Sequence, residues 1–225
     1  MNANPMIEIQ NFNNLQAEKT PFSLPDGSTL PRYLVGNKNT IIGEPITLKN
    51  SRLRFYGINS TVIIHPDVEI FSSSIDLHDN ARFQVARSSI LRGGFLVHHS
   101  CSIELGERTR CNGNLNIRTA EGTTVTLGTD CLIASCTIRS SDMHPIYDIK
   151  TGERINPGKN ITAGDRIWFA QDSFITKGIT ICADSVVAAH CVVTKDVPTN
   201  SIVAGNPGKI VRSNIRWHGN LPLNQ

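Results

Sequence analysis

Aromatic residues are scarce: two Trp, three Tyr and eight Phe make up 6% of the 225-residue chain. A wide interior stacked with large rings is disfavoured, and a narrow one filled by aliphatic and small side chains is favoured. An excess of one charge is also missing. The 22 Lys and Arg nearly balance 19 Asp and Glu, for a formal net charge of +3. That is far from the basic stripe of a nucleic-acid binder, though compatible with an anionic small ligand. No apolar run approaches the roughly 18 residues of a membrane-crossing helix. The N-terminal stretch MNANPMIEIQNFNN has no basic segment followed by an apolar one, the mark of an export leader. The expectation is a soluble, cytoplasmic protein with no membrane insertion and no nucleic-acid partner. None of the six cysteines forms a CxxC pair, which argues against a zinc ribbon or redox motif.

The prominent signal is a period of six. From residue 161 to 198, apolar residues recur at Phe169, Ile175, Ile181, Val187 and Val193, and Ser173, Ile179, Ser185, Cys191 and Val197 follow four residues after each. Neither a lone helix (period 3.6) nor a lone strand (period 2) repeats in this way. Hexapeptide units each form one flat side of a triangular coil, with the apolar residue turned inward onto its equivalent one coil, or about 18 residues, away. The fold class is therefore all-β, a parallel β-helix. Earlier units are IHPDVE at 64–69, LHDNAR at 77–82, LGERTR at 105–110 and LGTDCL at 127–132, with a looser stretch at 84–104. Roughly six coils are expected, a prism roughly 30 Å long at about 4.8 Å per strand. Cys131, Cys182 and Cys191 fall on small apolar positions of the repeat, so buried, reduced thiols are expected there.

The chain divides into an N-terminal cap at 1–40, the β-helix at 41–212 and a short tail at 213–225. Residues 1–40 are rich in turn formers and carry no repeat, and Met6–Ile9 and Tyr33–Val35 are candidate edge strands. Open solenoid ends need covering. The segment 140–160, SSDMHPIYDIKTGERINPGKN, breaks the register. A coil tolerates insertions at its corners, so a protruding loop is expected, the kind of element that carries function on a rigid scaffold.

Three stretches occur together: DMHPI at 142–146, IxxGDRIWFAQDSFITKGITI at 161–181 and VVTKDVPTNSIVAGNPGKIVR at 192–212. In combination they resemble the hexapeptide-repeat acyltransferases. Within that family the resemblance is to the maltose and galactoside O-acetyltransferases and related sugar O-acetyltransferases of surface-polysaccharide pathways. It covers about 105–212 and implies a left-handed helix. It further implies a homotrimer with acetyl-CoA in the groove between prisms and active sites built from two subunits.

His144 suits the chemistry of acyl transfer to a hydroxyl, because an imidazole titrating near neutral pH can take the acceptor's proton. Pro145 biases its backbone toward an extended form, and the resemblance makes it the catalytic histidine. Asp142 is a candidate to orient or acidify it, or to bind an acceptor hydroxyl; a solvated loop carboxylate is the alternative. The resemblance gives Asn114 a contact to the acceptor and the tetrahedral intermediate. Trp168 is read as an aromatic wall of the cleft, with packing on the protruding loop as the structural alternative. Lys195, Lys209 and Arg212 match positions that meet the nucleotide part of CoA, whose phosphates call for charge-assisted hydrogen bonds. Lys209 and Arg212 would face the same way if the tail began as a helix. Ala189, Thr194 and Gln171 match contacts to the rest of CoA.

His65, His78, His98 and His99 lack the spacing of a trimeric three-histidine metal site, so no metal is expected. His190 stands at a corner where the family usually has Gly. Ala170, Cys182 and Ala188 also replace repeat glycines, and the N-terminal half has no counterpart in shorter sugar acetyltransferases, which points to a different acceptor. The reading is an acetyl-CoA-dependent O-acetyltransferase acting on a sugar hydroxyl of a polysaccharide or glycan precursor. Its rivals are an N-acyltransferase on an amino sugar and a non-catalytic β-helix scaffold.

Overall fold

The computed structural model describes residues 6–220, apart from 11, 13, 14, 45 and 47. No α-helix occurs among them. Three columns of parallel strands form the three faces of a prism. The first face stacks Thr40–Gly43, Thr61–Ile64, Arg82–Val85, Ser102–Leu105, Thr124–Leu127, Ile161–Ala163 and Thr180–Ile181. The second face runs from Leu48–Lys49 through Arg110–Cys111, Leu132–Ile133, Trp168–Phe169 and Val186–Val187 to Ser201–Ala204. The third runs from Arg52–Phe55 through Leu115–Thr119, Cys136–Arg139 and Ser173–Ile175 to Val192–Val193. Glu69–Leu77 and Ile90–Val97 cross from the second face to the third without a break. Seven coils result, about 34 Å at ~4.8 Å per strand.

The hexad reading holds residue for residue in the last coils. Phe169, Ile175, Ile181, Val187 and Val193 are all fully buried, and Ser173, Ile179, Ser185, Cys191 and Val197 lie inside with them. Phe169 sits over Val187, Ile175 over Val193 and Ala163 over Ile181, each pair 18 residues apart. Earlier coils are longer than expected. Val62 pairs with Phe83, Phe83 with Ile103 and Ile103 with Val125, steps of 21, 20 and 22 residues. The extra residues sit in the uninterrupted corner strands and in a bulge at Arg92/Gly93. Gly93 has φ +136°, and a Cβ there would lie 1.9 Å from the Leu115 carbonyl oxygen, so the corner admits no side chain. These wider coils take the large rings Phe55, Phe83 and Phe95.

The corner between the first and second faces is a ladder of left-handed residues: Asp67, Ser88, Arg108, Asp130, Arg166, Asp184 and Asn200, all at φ between 53° and 61°. Each chain level hangs from the one below, as in Arg108 N–H to Arg87 O at 3.0 Å and Asp130 N–H to Glu107 O at 2.8 Å. Asn and Asp tolerate this region better than most residues. Arg108 and Arg166 are held by two-pronged bonds to Asp130 and Asp184.

At the N-terminal end, Ile7–Ile9 lies antiparallel on Arg52–Phe55 and Arg32–Leu34 antiparallel on Thr40–Gly43. Phe12 is buried against the first coil's core. At the other end, Lys209–Ser213 is a strand antiparallel to Ser201–Ala204. This corrects the helical start expected for the tail. The cysteines are all free, and five are buried. Burial pushes the Cys111, Cys131 and Cys136 thiols up to about 12, so they pack as small hydrophobes. Cys182 is the exception to the expected burial: it follows the inward Ile181, so strand alternation turns it outward and it is exposed.

Phe169→Ala removes a fully buried ring between two stacked coils, and should lower the free energy of unfolding by about 3–5 kcal/mol. Cys182→Ser should stay within about 0.5 kcal/mol of the parent. Urea denaturation followed by circular dichroism compares the two.

Candidate active site

The 140–160 segment leaves the corner between the third face and the first, directly after Cys136–Arg139, and returns at Ile161–Ala163. Its base is closed by Lys159 N–H to Ser140 O at 2.9 Å. Above this it folds into a hairpin, with Asp148 N–H to Glu153 O and Ile155 N–H to Ile146 O, both 2.9 Å, and a bridge between Tyr147 and Arg154.

Asn156 is the clasp. Buried in an otherwise exposed loop, its Nδ2 donates to Asp142 Oδ2 at 2.8 Å and to the His144 carbonyl at 2.9 Å, while its Oδ1 accepts from Ile146 N–H at 2.6 Å. Lys177 pairs with Asp142 and donates to the Asn156 carbonyl at 3.1 Å. On the other flank, Glu121 binds Arg154 at 2.7 Å and Gly158 N–H at 3.1 Å, and accepts from the Ser141 hydroxyl. These bonds, that from Arg154 foremost, hold the Glu121 carboxyl down to about 2. His144 is thus fixed through its backbone while its side chain is exposed. The Asp142 carboxyl, held below its ordinary range by Lys177 and Asn156, is directed at those two residues and makes no bond to the His144 ring.

The other candidates fall elsewhere on the prism. Trp168 points outward from the second face, and its ring lies 6.1 Å from that of Trp217, whose Nε1 donates to Arg166 O at 2.8 Å. Trp168 therefore packs on the tail and not on the protruding loop. With Val186, Ile202 and Arg212 it lines a cavity of about 430 Å³.

A bulge does for Lys209 and Arg212 what a helix was expected to do. Arg212 pairs with Ile202 and Lys209 with Ala204. These partners are two apart and both outward, while Ser201 and Val203 are buried, so both cations share the outer side. Gln171 and Ala189 are exposed at the corner between the second and third faces, where the left-handed His190 (φ +55°) donates its N–H to Gln171 O at 2.8 Å. That backbone explains the usual glycine. Asn114 occupies the same corner on an earlier coil and borders a polar cavity of about 690 Å³ with Arg52, Ser72, Ser73 and Ser74. Thr194 and Lys195 are exposed where the third face ends.

One chain therefore gathers Trp168 and Arg212 on the second face, opposite the corner that bears His144. Among the described residues no group of three or more His, Cys, Asp or Glu could hold a metal ion. His78 and His98 stack on each other, ring centroids 4.7 Å apart, and His99 pairs with Asp79 at 3.0 Å. Asn156, Lys177, Glu121 and Arg154 escaped the sequence reading. Their bonds span up to 37 positions, and no spacing rule links such residues.

A β-helix of short parallel strands with one protruding His-Pro loop is the architecture of the left-handed hexapeptide-repeat acetyltransferases. No family model matches the chain, but relatives do. A polysialic acid O-acetyltransferase of Neisseria meningitidis is 36% identical over 147 residues, 64% of this chain and 68% of the relative. One from Escherichia coli O1:K1 / APEC is 34% identical over 135 residues, 60% of this chain. The match spans only 44% of the length of that relative. Among solved structures, the polysialic-acid-specific acetyltransferase NeuO superposes with a TM-score of 0.73 at 32% identity, over 78% of this chain and 83% of that one. The polysialic acid O-acetyltransferase OatWY gives 0.69 at 36% identity, over 73% and 80%. The chain belongs to the hexapeptide-repeat acetyltransferase family.

The loop clamp has a pH signature. Glu121 titrates lower folded than unfolded, so its stabilisation is complete above the ordinary carboxylate pKa and is lost as pH falls through about 2. Protection factors of the 141–158 amides, corrected for the intrinsic exchange rate, should be high at pH 5 and fall near pH 2 before those of the coil amides do. In Glu121→Gln the protection factors of the loop should be low at both.

Proposed function

We propose that the chain is an acetyl-CoA-dependent O-acetyltransferase that acetylates a sugar hydroxyl of an acidic polysaccharide or its precursor. The observation that carries this is a solvent-facing histidine on a loop whose backbone is fixed from both flanks, in a chain related to polysialic acid O-acetyltransferases. In the reaction His144 takes the proton of the acceptor hydroxyl as its oxygen attacks the thioester carbonyl. The tetrahedral intermediate then collapses, the C–S bond breaks, and the CoA thiolate leaves and receives a proton from the imidazolium. Backbone N–H groups along the coil groove, with Asn114, stabilise the oxyanion. Asp142 and Asn156 act at one remove, by setting the path of the loop. No cysteine nucleophile is involved.

CoA lies along the C-terminal coils. Lys195, Lys209 and Arg212 meet its phosphates, Ala189 and Thr194 line its pantetheine arm, Gln171 makes a further contact to CoA, and Trp168 walls the cleft. Lys209 and Arg212 on one side of a bulged strand support this reading. Since His144 and Trp168 sit on opposite parts of one prism, the site is built between copies of the chain in a homotrimer. The loop offers an apolar surface for that contact: Met143, Ile146, Tyr147, Ile149 and Ile155 are all exposed, Ile149 completely. The protein works in the cytoplasm, where acetyl-CoA is made.

Release of CoA from acetyl-CoA is measured with sialic acid oligomers, neutral sugars and amino sugars as acceptors. His144→Ala should lower turnover by about 10²–10⁴-fold without changing Tm. Unchanged turnover in that variant would sink the mechanism. Acetylation of amines alone would identify an N-acyltransferase, and absence of turnover with every acceptor would identify a scaffold. Light scattering should give three times the mass of the chain.

A further inference from the structure

One outward column on the third face runs Arg54, Asp76, Leu96, Arg118, Arg139, each residue directly paired with the next across adjacent parallel strands. Its first two members neutralise each other, with Arg54 Nε 2.6 Å from Asp76 Oδ1. The last two are both cations. Adjacent strands lie about 4.8 Å apart, and like charges directly opposite destabilise a sheet. Other arginines of the chain are matched by a carboxylate: Arg108 has Asp130, Arg166 has Asp184 and Arg154 has Glu121. The guanidinium groups of Arg118 and Arg139 have no ion-pair or hydrogen-bond partner among the described residues. Arg118 is exposed and Arg139 half-buried. Asn116 and Thr137, paired two positions earlier on the same strands, turn outward beside them. Two guanidinium groups, an amide and a hydroxyl thus share one surface with no carboxylate bound to the cations. Arg139 immediately precedes Ser140, where the His144 loop begins.

We propose that Arg118 and Arg139 form a subsite for the carboxylate of an acidic sugar in the acceptor chain, at the root of the His144 loop. The inference rests on the O-acetyltransferase reading for its role in catalysis. The guanidinium fork matches a planar carboxylate with two parallel bonds. A bound carboxylate also removes the like-charge repulsion that the empty column carries, so binding the acid and relieving the sheet are one event. The phosphates of CoA are the competing anion. Lys209 and Arg212 lie on the second face, and Lys195 stands where the third face ends, two coils beyond Arg139, which leaves this pair, at the root of the loop, for the acceptor. A sugar held here would present its neighbour in the glycan chain to the loop. The subsite would then select acidic polymers over neutral sugars.

The test uses the full chain with Arg118→Gln, Arg139→Gln, the double variant and Arg139→Lys. A sialic acid oligomer of about five residues is the probe, both as acceptor in the transfer assay and as ligand in calorimetry. Each Gln variant should raise KM for the oligomer and weaken its binding by about 10- to 100-fold, the range for a lost hydrogen bond to a charged group. KM for acetyl-CoA should stay within about twofold, since every 1.4 kcal/mol of lost contact would be tenfold. Arg139→Lys should recover part of the loss. The double variant should melt at or above the parent temperature, because it removes a repulsion. Oligomer binding and KM unchanged in the double variant would overturn the proposal. A parallel rise in KM for acetyl-CoA would also overturn it and would assign the pair to CoA. A lower melting temperature carrying the KM change with it would reduce the pair to a structural role, a third refutation. Were the parent to bind the oligomer through these arginines yet transfer to no glycan, the subsite would stand and the O-acetyltransferase reading would fall.

Discussion

Each inward side chain of this protein must sit over its counterpart one coil away, because the parallel hydrogen-bond ladder fixes the register of every strand pair. A slip of one residue would turn the core outward along a whole face. The register survives the largest interruption in the chain. Val125 pairs with Ile161 and Ile133 with Phe169, each across 36 residues, and the 18-residue step resumes at once between Phe169 and Val187. The loop is tolerated because it enters and leaves at a corner, where no inward side chain is displaced. Rigidity on both sides is what lets one protruding segment hold a histidine in a fixed place.

The last coils were legible because each obeys the hexad strictly, with one inward side chain per unit. Legibility failed where coils carry bulges. Gly93 and the 20- to 22-residue steps around it blur a six-residue period, although the inward residues Phe83 and Phe95 are as buried as any later ones. The tail misled for a related reason. Lys209 and Arg212, three apart, suggest one helical face, and a bulged strand achieves the same alignment. Cys182 shows the limit of treating repeat positions as inward by type, since its neighbour Ile181 already fills that slot. Asn156 lay beyond any pattern. Its value comes from the four residues its side chain bonds, Asp142, His144, Ile146 and Arg154, which converge on it only after the loop folds.

The same rigidity divides the chemistry. A prism presents flat faces and sharp corners, and cannot curl around a substrate as a cleft between domains can. His144 stands on one corner while Trp168 and Arg212 share the opposite face. In the reading we propose, the base and the groove therefore come from two prisms. The apolar residues exposed on the hairpin fit this logic. A loop meant only to project a histidine into water would not expose Ile149 and Tyr147, whereas a loop that rests on a neighbouring copy would.

The near-balance of charge read from composition conceals two populations of arginine. Arg108 and Arg166 on the first corner and Arg154 on the loop are matched by carboxylates at 2.5–2.7 Å. They hold left-handed turns and a hairpin in place, and their charge is spent internally. Arg118 and Arg139 lack such partners and repel each other across one strand spacing. Packing alone gives no reason to place two cations there, as the Arg54–Asp76 pair on the same column shows by contrast. A net charge of +3 is too small to steer a polyanion by itself. Its placement matters more than its size, because Arg118 and Arg139 lie on the face that leads to the loop, where an acidic chain would run if His144 is the base we propose.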